Sequence, residues 1–185
     1  MITTSERLAL ETEIYNKIAD RLMSRLRVAE PGIIQSFDEN KQTVSVKLSV
    51  RELVNDHGKQ EWKDIPLLVD VPVKLQRGGG YMVTLPFAVG DECLVVFGDK
   101  DMDAWWQSGG VQNWGKKRRH SLSDGYALPG INSQARTVSG YSTDSVQLRN
   151  EDGDAYLEVK GNNINIIGET VTIIGRTVVT INPEE

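Results

Sequence analysis

Between residues 163 and 182 the chain spells one short unit three times. The units are Asn163-Ile164-Asn165-Ile166-Ile167-Gly168, Glu169-Thr170-Val171-Thr172-Ile173-Ile174-Gly175 and Arg176-Thr177-Val178-Val179-Thr180-Ile181-Asn182. Their closing residues, Gly168, Gly175 and Asn182, fall at a period of seven. A fixed-period β repeat is the mark of a solenoid or β-helix, whose units bury their apolar side chains only against stacked neighbours. Three such units are too few to enclose a core within one chain. Left bare, their Ile and Val side chains would form a patch well beyond what a soluble monomer carries. Burying each is worth roughly 1.5–3 kcal/mol. The expected arrangement is therefore shared: three copies around one axis, with Ile164, Ile166, Val171, Ile173, Val178 and Ile181 as the trimer core and Thr, Asn, Glu and Arg outward. A closed three-chain prism also removes free strand edges. The alternative is an ordinary hairpin packed on the rest of the chain; the regular, terminal repeat favours sharing.

The preceding sequence is organised differently. Thr4 or Ser5 can cap a helix over 4–27, with Leu8, Tyr15, Ile18, Leu22 and Leu26 in one stripe. Pro31-Gly32 marks a break. Thr43 to Val50 alternates strictly, which predicts a half-buried strand with Val44, Val46, Leu48 and Val50 inward. A loop at Asn55–Lys59, an extended stretch over 65–73, a Gly78-Gly79-Gly80 loop and strands at Tyr81–Leu85 and Glu92–Phe97 complete a pattern of short strands and frequent turns. Such a pattern reads as a small β-barrel or sandwich. The expected organisation is an N-terminal helix (1–28), a barrel (29–115), a connecting segment (116–140) and a β-repeat tail (141–185). The fold class is mainly β.

Composition narrows the chemistry. The net charge is -5, so the chain lacks the basic excess that phosphate neutralisation requires, and no nucleic-acid partner is expected. Its one basic run, Lys116-Lys117-Arg118-Arg119, reads as a solvated loop. The single cysteine, Cys93, lies in an apolar run and reads as a small core residue. No signal segment or membrane-spanning stretch is visible, so folding in the cytoplasm is expected. His57 and His120 stand in no metal-ligand spacing, and no nucleophile elbow, phosphate loop or dinucleotide fingerprint is present. Asp99, Asp101 and Asp103 resemble the start of an EF-hand but lack its glycine and closing Glu. No catalytic residue, metal or cofactor is therefore assigned, and an enzyme is not expected. Trp62, Trp105, Trp106 and Trp114 read as structural anchors, or else as a ligand platform.

Several of these stretches, taken together, are similar to one family. Ala29-Glu30-Pro31-Gly32-Ile33-Ile34 and Val89-Gly90-Asp91-Glu92-Cys93-Leu94-Val95-Val96-Phe97 resemble the N-terminal OB-fold of phage baseplate spike proteins, the baseplate assembly protein V group. Asp101 to Trp106, Arg118 to Gly125 and Pro129-Gly130 resemble the stretch that ends the OB-fold there and leads to the shaft. The resemblance covers roughly residues 28 to 182. It implies a homotrimer with an OB-fold-like β-barrel and a C-terminal intertwined trimeric β-helix. It further implies a place on the virion tail baseplate below a hub protein, with transient contact with the host outer membrane as the spike punctures it. Family members can end in an iron-binding His-x-His pair. This chain ends Thr177 to Glu185 without histidine, so a separate tip protein is expected. The competing reading is an OB-fold oligosaccharide-binding module, which would need Trp105 and Trp106 exposed.

Overall fold

A computed structural model describes residues 4–24 and 26–175. It divides into two compact units, 1–133 and 134–185. The first begins with helix α1 (Thr4–Met23), whose apolar residues Ile14, Tyr15, Ile18, Leu22 and Met23 are all exposed.

The core of this unit is one antiparallel sheet. β1 (Ala29–Asp38), β2 (Thr43–Leu48), β5 (Leu68–Pro72), β8 (Glu92–Phe97) and β9 (Gly125–Pro129) lie in the order β5-β2-β1-β8-β9. The sheet curls until its edges meet at one parallel bridge, Val73 to Ala127, where the Lys74 N–H donates to the Ala127 carbonyl at 2.8 Å. Register shifts between Ile34 and Ser36 on β1, and between Val44 and Val46 on β2, supply local bending that a flat ladder lacks. Gly32 permits a close approach of β1 to β2, since a Cβ there would lie 2.4 Å from Val46 Cγ1. Pro31 and Gly32 thus lie inside β1 and do not mark a break.

Alternation sets the core. Ile34, Val44, Val46, Leu48, Cys93, Val95 and Phe97 point inward and meet Ile65, Leu68, Val71 and Ala127. Val50 lies past the end of β2 and is exposed, while Thr43 is buried, so the inward set expected for this strand is wrong at both ends. Two hairpins project from the sheet's connections: β3 (Glu52–Asp56) with β4 (Lys59–Lys63), and β6 (Gln76–Gly78) with β7 (Tyr81–Val83). The first turns at His57-Gly58, both with positive φ, inside the stretch expected to be a loop. A short helix, α2 (Asp103–Ser108), follows β8. The stretch 116–140, expected to connect, supplies β9 and hence one edge of the sheet.

The second unit is a three-stranded antiparallel meander: β10 (Val146–Arg149), β11 (Tyr156–Lys160) and β12 (Asn163–Ile167). Gly161, at φ 57, and Asn162 make the two-residue turn into β12. In the preceding turn the Asn150 side-chain carbonyl accepts from the Gly153 and Ala155 amides. Of the three sequence repeats, the first forms β12, the second forms no strand, and the third lies outside the described residues.

Candidate functional site

The register of the second unit sorts its side chains into two unlike faces. Val146 pairs with Val159 and Leu148 with Leu157 across β10–β11; Val159 pairs with Ile164 and Leu157 with Ile166 across β11–β12. Paired residues share a face. One face is therefore six aliphatic side chains with no polar member, and its exposure runs from 42% at Leu157 to 75% at Val146. Among the described residues of 134–175, none is fully buried. A sheet of this composition has no core of its own.

The opposite face carries Tyr156 paired with Ile167 at one end and is otherwise polar and knit together. Glu158 accepts from Ser145 Oγ at 2.6 Å, from Gln147 Nε2 at 2.9 Å and, through its other oxygen, from Asn165 Nδ2 at 2.9 Å. These bonds, that from Ser145 above all, hold the Glu158 carboxyl below the usual range. Lys160 pairs with Asp144 at 2.6 Å, which lowers the carboxyl and raises the ammonium. The guanidinium of Arg149 donates to the carbonyls of Ser139, Gly140 and Glu151, fixing the chain that leads into β10. The bonded, mostly polar face and the bare aliphatic face thus lie on opposite surfaces of this sheet.

Of the trimer-core residues expected from sequence, Ile164 and Ile166 fall together on the aliphatic face. Val171 and Ile173 are exposed but belong to no strand. Val178 and Ile181 lie outside the described residues. The repeat drew attention to β12 alone. Val146, Leu148, Leu157 and Val159 complete the face, and their own alternation was the signal: Val146-Gln147-Leu148-Arg149 and Tyr156-Leu157-Glu158-Val159-Lys160.

A second constellation lies in the first unit. Arg118 Nη2 donates to Asp101, Asp103 and Asp124 at 2.7, 2.9 and 2.8 Å, and its Nε donates to the other Asp124 oxygen at 3.0 Å. Asp124 is wholly buried and the Asp101 side chain nearly so. Asp124 also accepts from the Met102 amide at 3.2 Å. The Arg118 and Lys116 contacts hold the Asp103 carboxyl down at about 2, and the Asp124 and Asp103 hydrogen bonds push Arg118 upward. The three carboxylates could hold a divalent cation by spacing, but here they converge on the guanidinium. Within the basic run Lys116, Lys117 and Arg119 are exposed, as a solvated loop requires, with Lys116 paired to Asp103 and Arg119 to Asp99; Arg118 is the member drawn inward. His120 is fixed between the Arg27 carbonyl at 2.9 Å and Asp99 at 3.4 Å. Cys93 is buried, which pushes its thiol up to about 11 and leaves it protonated at neutral pH.

Residues 30–130 match the model of the family described as the phage protein Gp138 N-terminal domain. The chain belongs to that family. The match runs from the start of β1 to the end of β9, so the Gp138 N-terminal domain family contributes the whole curled sheet and the Arg118 constellation, while α1 and the second unit lie outside it. The match includes the barrel stretches that carry the resemblance to phage spikes, as far as Gly130, but not the β repeat, and it agrees on a phage protein with a structural role. It does not name the baseplate assembly protein V group. No curated protein matches the chain.

Proposed function

We propose that this Gp138-family chain is the central spike of a contractile phage tail. The observation that carries the reading is the uncovered aliphatic face of β10, β11 and β12. Six apolar side chains, each still 42% to 75% exposed, would gain about 1 kcal/mol or more apiece on being covered. Three copies meeting face to face would cover all of them and turn the Glu158 network outward. The remaining repeats at 169–182 would continue the same shared core as an intertwined β-helix. The first unit, as an OB-fold-like barrel, would form the collar that joins a baseplate hub protein. A separate tip protein would complete the point.

Function is then mechanical rather than enzymatic. Opening an interlaced trimer requires many backbone hydrogen bonds to break together and the aliphatic core to meet water at once. Such an assembly carries axial load when the sheath contracts and drives it through the host outer membrane. The chain would be made in the host cytoplasm and retained in the virion, at the tail baseplate.

Gold-labelled antibody against the purified chain tests this on intact phage. The reading expects label on the tail axis at the baseplate, retained after purification of tails. Label on the capsid or along the sheath, or none on tails that carry a full baseplate, would overturn it.

A further inference from the structure

The cleft beside α2 belongs to no part of the spike reading and carries its own chemistry. It has a volume of about 330 Å³ and is lined by Lys100, Asp101, Ala104, Trp105, Gln112, Asn113 and Trp114. Trp105 comes from α2 and packs edge-on against Tyr126 of β9 at 6.0 Å. Trp114 comes from the loop that returns from α2. Both indoles are 45% exposed, so their apolar surface is accessible from the cleft.

The loop that brings Trp114 back is fixed at both ends. Gly109 and Gly110, at φ 65 and 63, turn the chain sharply out of α2. Gln112 Nε2 donates to the Gly109 carbonyl at 2.8 Å, and the Lys116 amide donates to Asp101 at 2.8 Å. Asp101 is itself held by Arg118, so the cleft wall rests on the buried ion cluster. The site is therefore formed before any ligand arrives, which lowers the ordering cost of binding.

We propose that this cleft binds an acidic oligosaccharide. Two half-exposed indoles offer apolar surface for the C–H side of sugar rings. The side-chain amides of Gln112 and Asn113 carry both donors and acceptors, the complement of sugar hydroxyls. Lys100 supplies the charge. Its ammonium lies 5.4 Å from the Trp114 ring and makes no ion pair among the described residues. Arg119 flanks the same ring at 5.7 Å. Over 99–124, Lys100, Lys116, Lys117, Arg118 and Arg119 stand against Asp99, Asp101, Asp103 and Asp124, a small positive excess in a chain of net charge -5. That excess suits a uronate or sugar phosphate; it is too small for the multiple phosphate contacts on which nucleic-acid affinity depends.

Isothermal titration of the full chain tests the proposal with three probes: an oligogalacturonate hexamer, chitohexaose as the neutral sugar, and a twelve-residue oligothymidylate. The expected result is saturable binding of oligogalacturonate, at least tenfold tighter than chitohexaose. Trp114→Ala should weaken it by at least tenfold and Lys100→Ala by severalfold. Lys100→Ala changes an exposed side chain and leaves the indoles in place, so it reads the site even where Trp114→Ala disturbs the loop. Trp62→Ala, on the remote β4, should leave binding unchanged. Failure of oligogalacturonate to saturate at millimolar concentration, equal loss in Trp62→Ala, or tighter binding of oligothymidylate would each overturn the proposal. The spike reading stands or falls separately, because it makes no use of this cleft.

Discussion

Replacing Arg118 with Met removes the cation on which Asp101, Asp103 and Asp124 converge. Four hydrogen bonds to carboxylate oxygens disappear: three from Nη2, to Asp101, Asp103 and Asp124, and one from Nε to Asp124. Asp103 is 41% exposed and can turn to water, so its share is small. Asp124 at 0% and Asp101 at 3% cannot. Removing one partner of a buried ion pair costs about 3–5 kcal/mol, because the charge left behind stays buried without compensation. That is a large part of the ~5–15 kcal/mol that holds a domain together. For a unit of this size it lowers Tm by about 10–20 °C. Thermal unfolding followed by far-UV circular dichroism reads the effect. Arg118→Lys keeps the charge but not the planar fork, so it should fall between wild type and Arg118→Met. In Arg118→Met the three carboxylates lose the guanidinium they share, so millimolar calcium should raise its Tm and leave that of the wild type unchanged. If Arg118→Met unfolded within 1 kcal/mol of the wild type, the cluster would be a surface ornament and the argument would fail.

Three further outcomes follow from the geometry. Ile166→Asp places a carboxylate on the aliphatic face, where sharing among three copies would bury three like charges at a cost of several kcal/mol each; light scattering after gel filtration should show monomers, while Asn163→Asp on the polar face leaves the trimer intact. Cys93, with its thiol pushed up to about 11 by burial, should ignore a disulfide reagent at pH 8 for hours and react at once in denaturant; prompt reaction of the native protein would contradict its burial. The Asp103 carboxyl is lowered from 3.8 to about 2, so its contribution to stability is whole above about pH 4 and is lost as pH falls towards 2; Asp103→Asn should flatten the acid limb of the stability profile in that window and nowhere else.

Strand alternation was legible wherever one face of a strand meets the core. Val44, Val46 and Leu48, and Cys93 with its neighbours, followed from period alone, because each inward residue has a fixed partner layer in its own chain. The errors came where long-range pairing decides. Val50 obeys the alternation but falls beyond the last pair of β2. Pro31-Gly32 looks like a break and is instead the point where β1 passes close against β2. The Gly125–Pro129 strand sits in a stretch with little periodicity; what makes it a strand is the free edge of β8 beside it. At the candidate interface, the repeat identified Ile164 and Ile166 but not the four residues of β10 and β11 that pair with them, since those strands share no seven-residue unit. The Arg118 cluster was hidden for a similar reason. Asp101 and Asp103 lack the EF-hand glycine and closing Glu that would mark a cation site, yet a cation does sit there: a side chain from a basic run that reads as solvent-facing in isolation.

The account rests on the aliphatic sheet face being shared among copies. Sedimentation equilibrium of the intact, untagged chain at micromolar concentration measures that directly. The account expects one species of three times the 20.6 kDa chain mass, unchanged on dilution. A single species at 20.6 kDa, stable and soluble with that face bare, would contradict it.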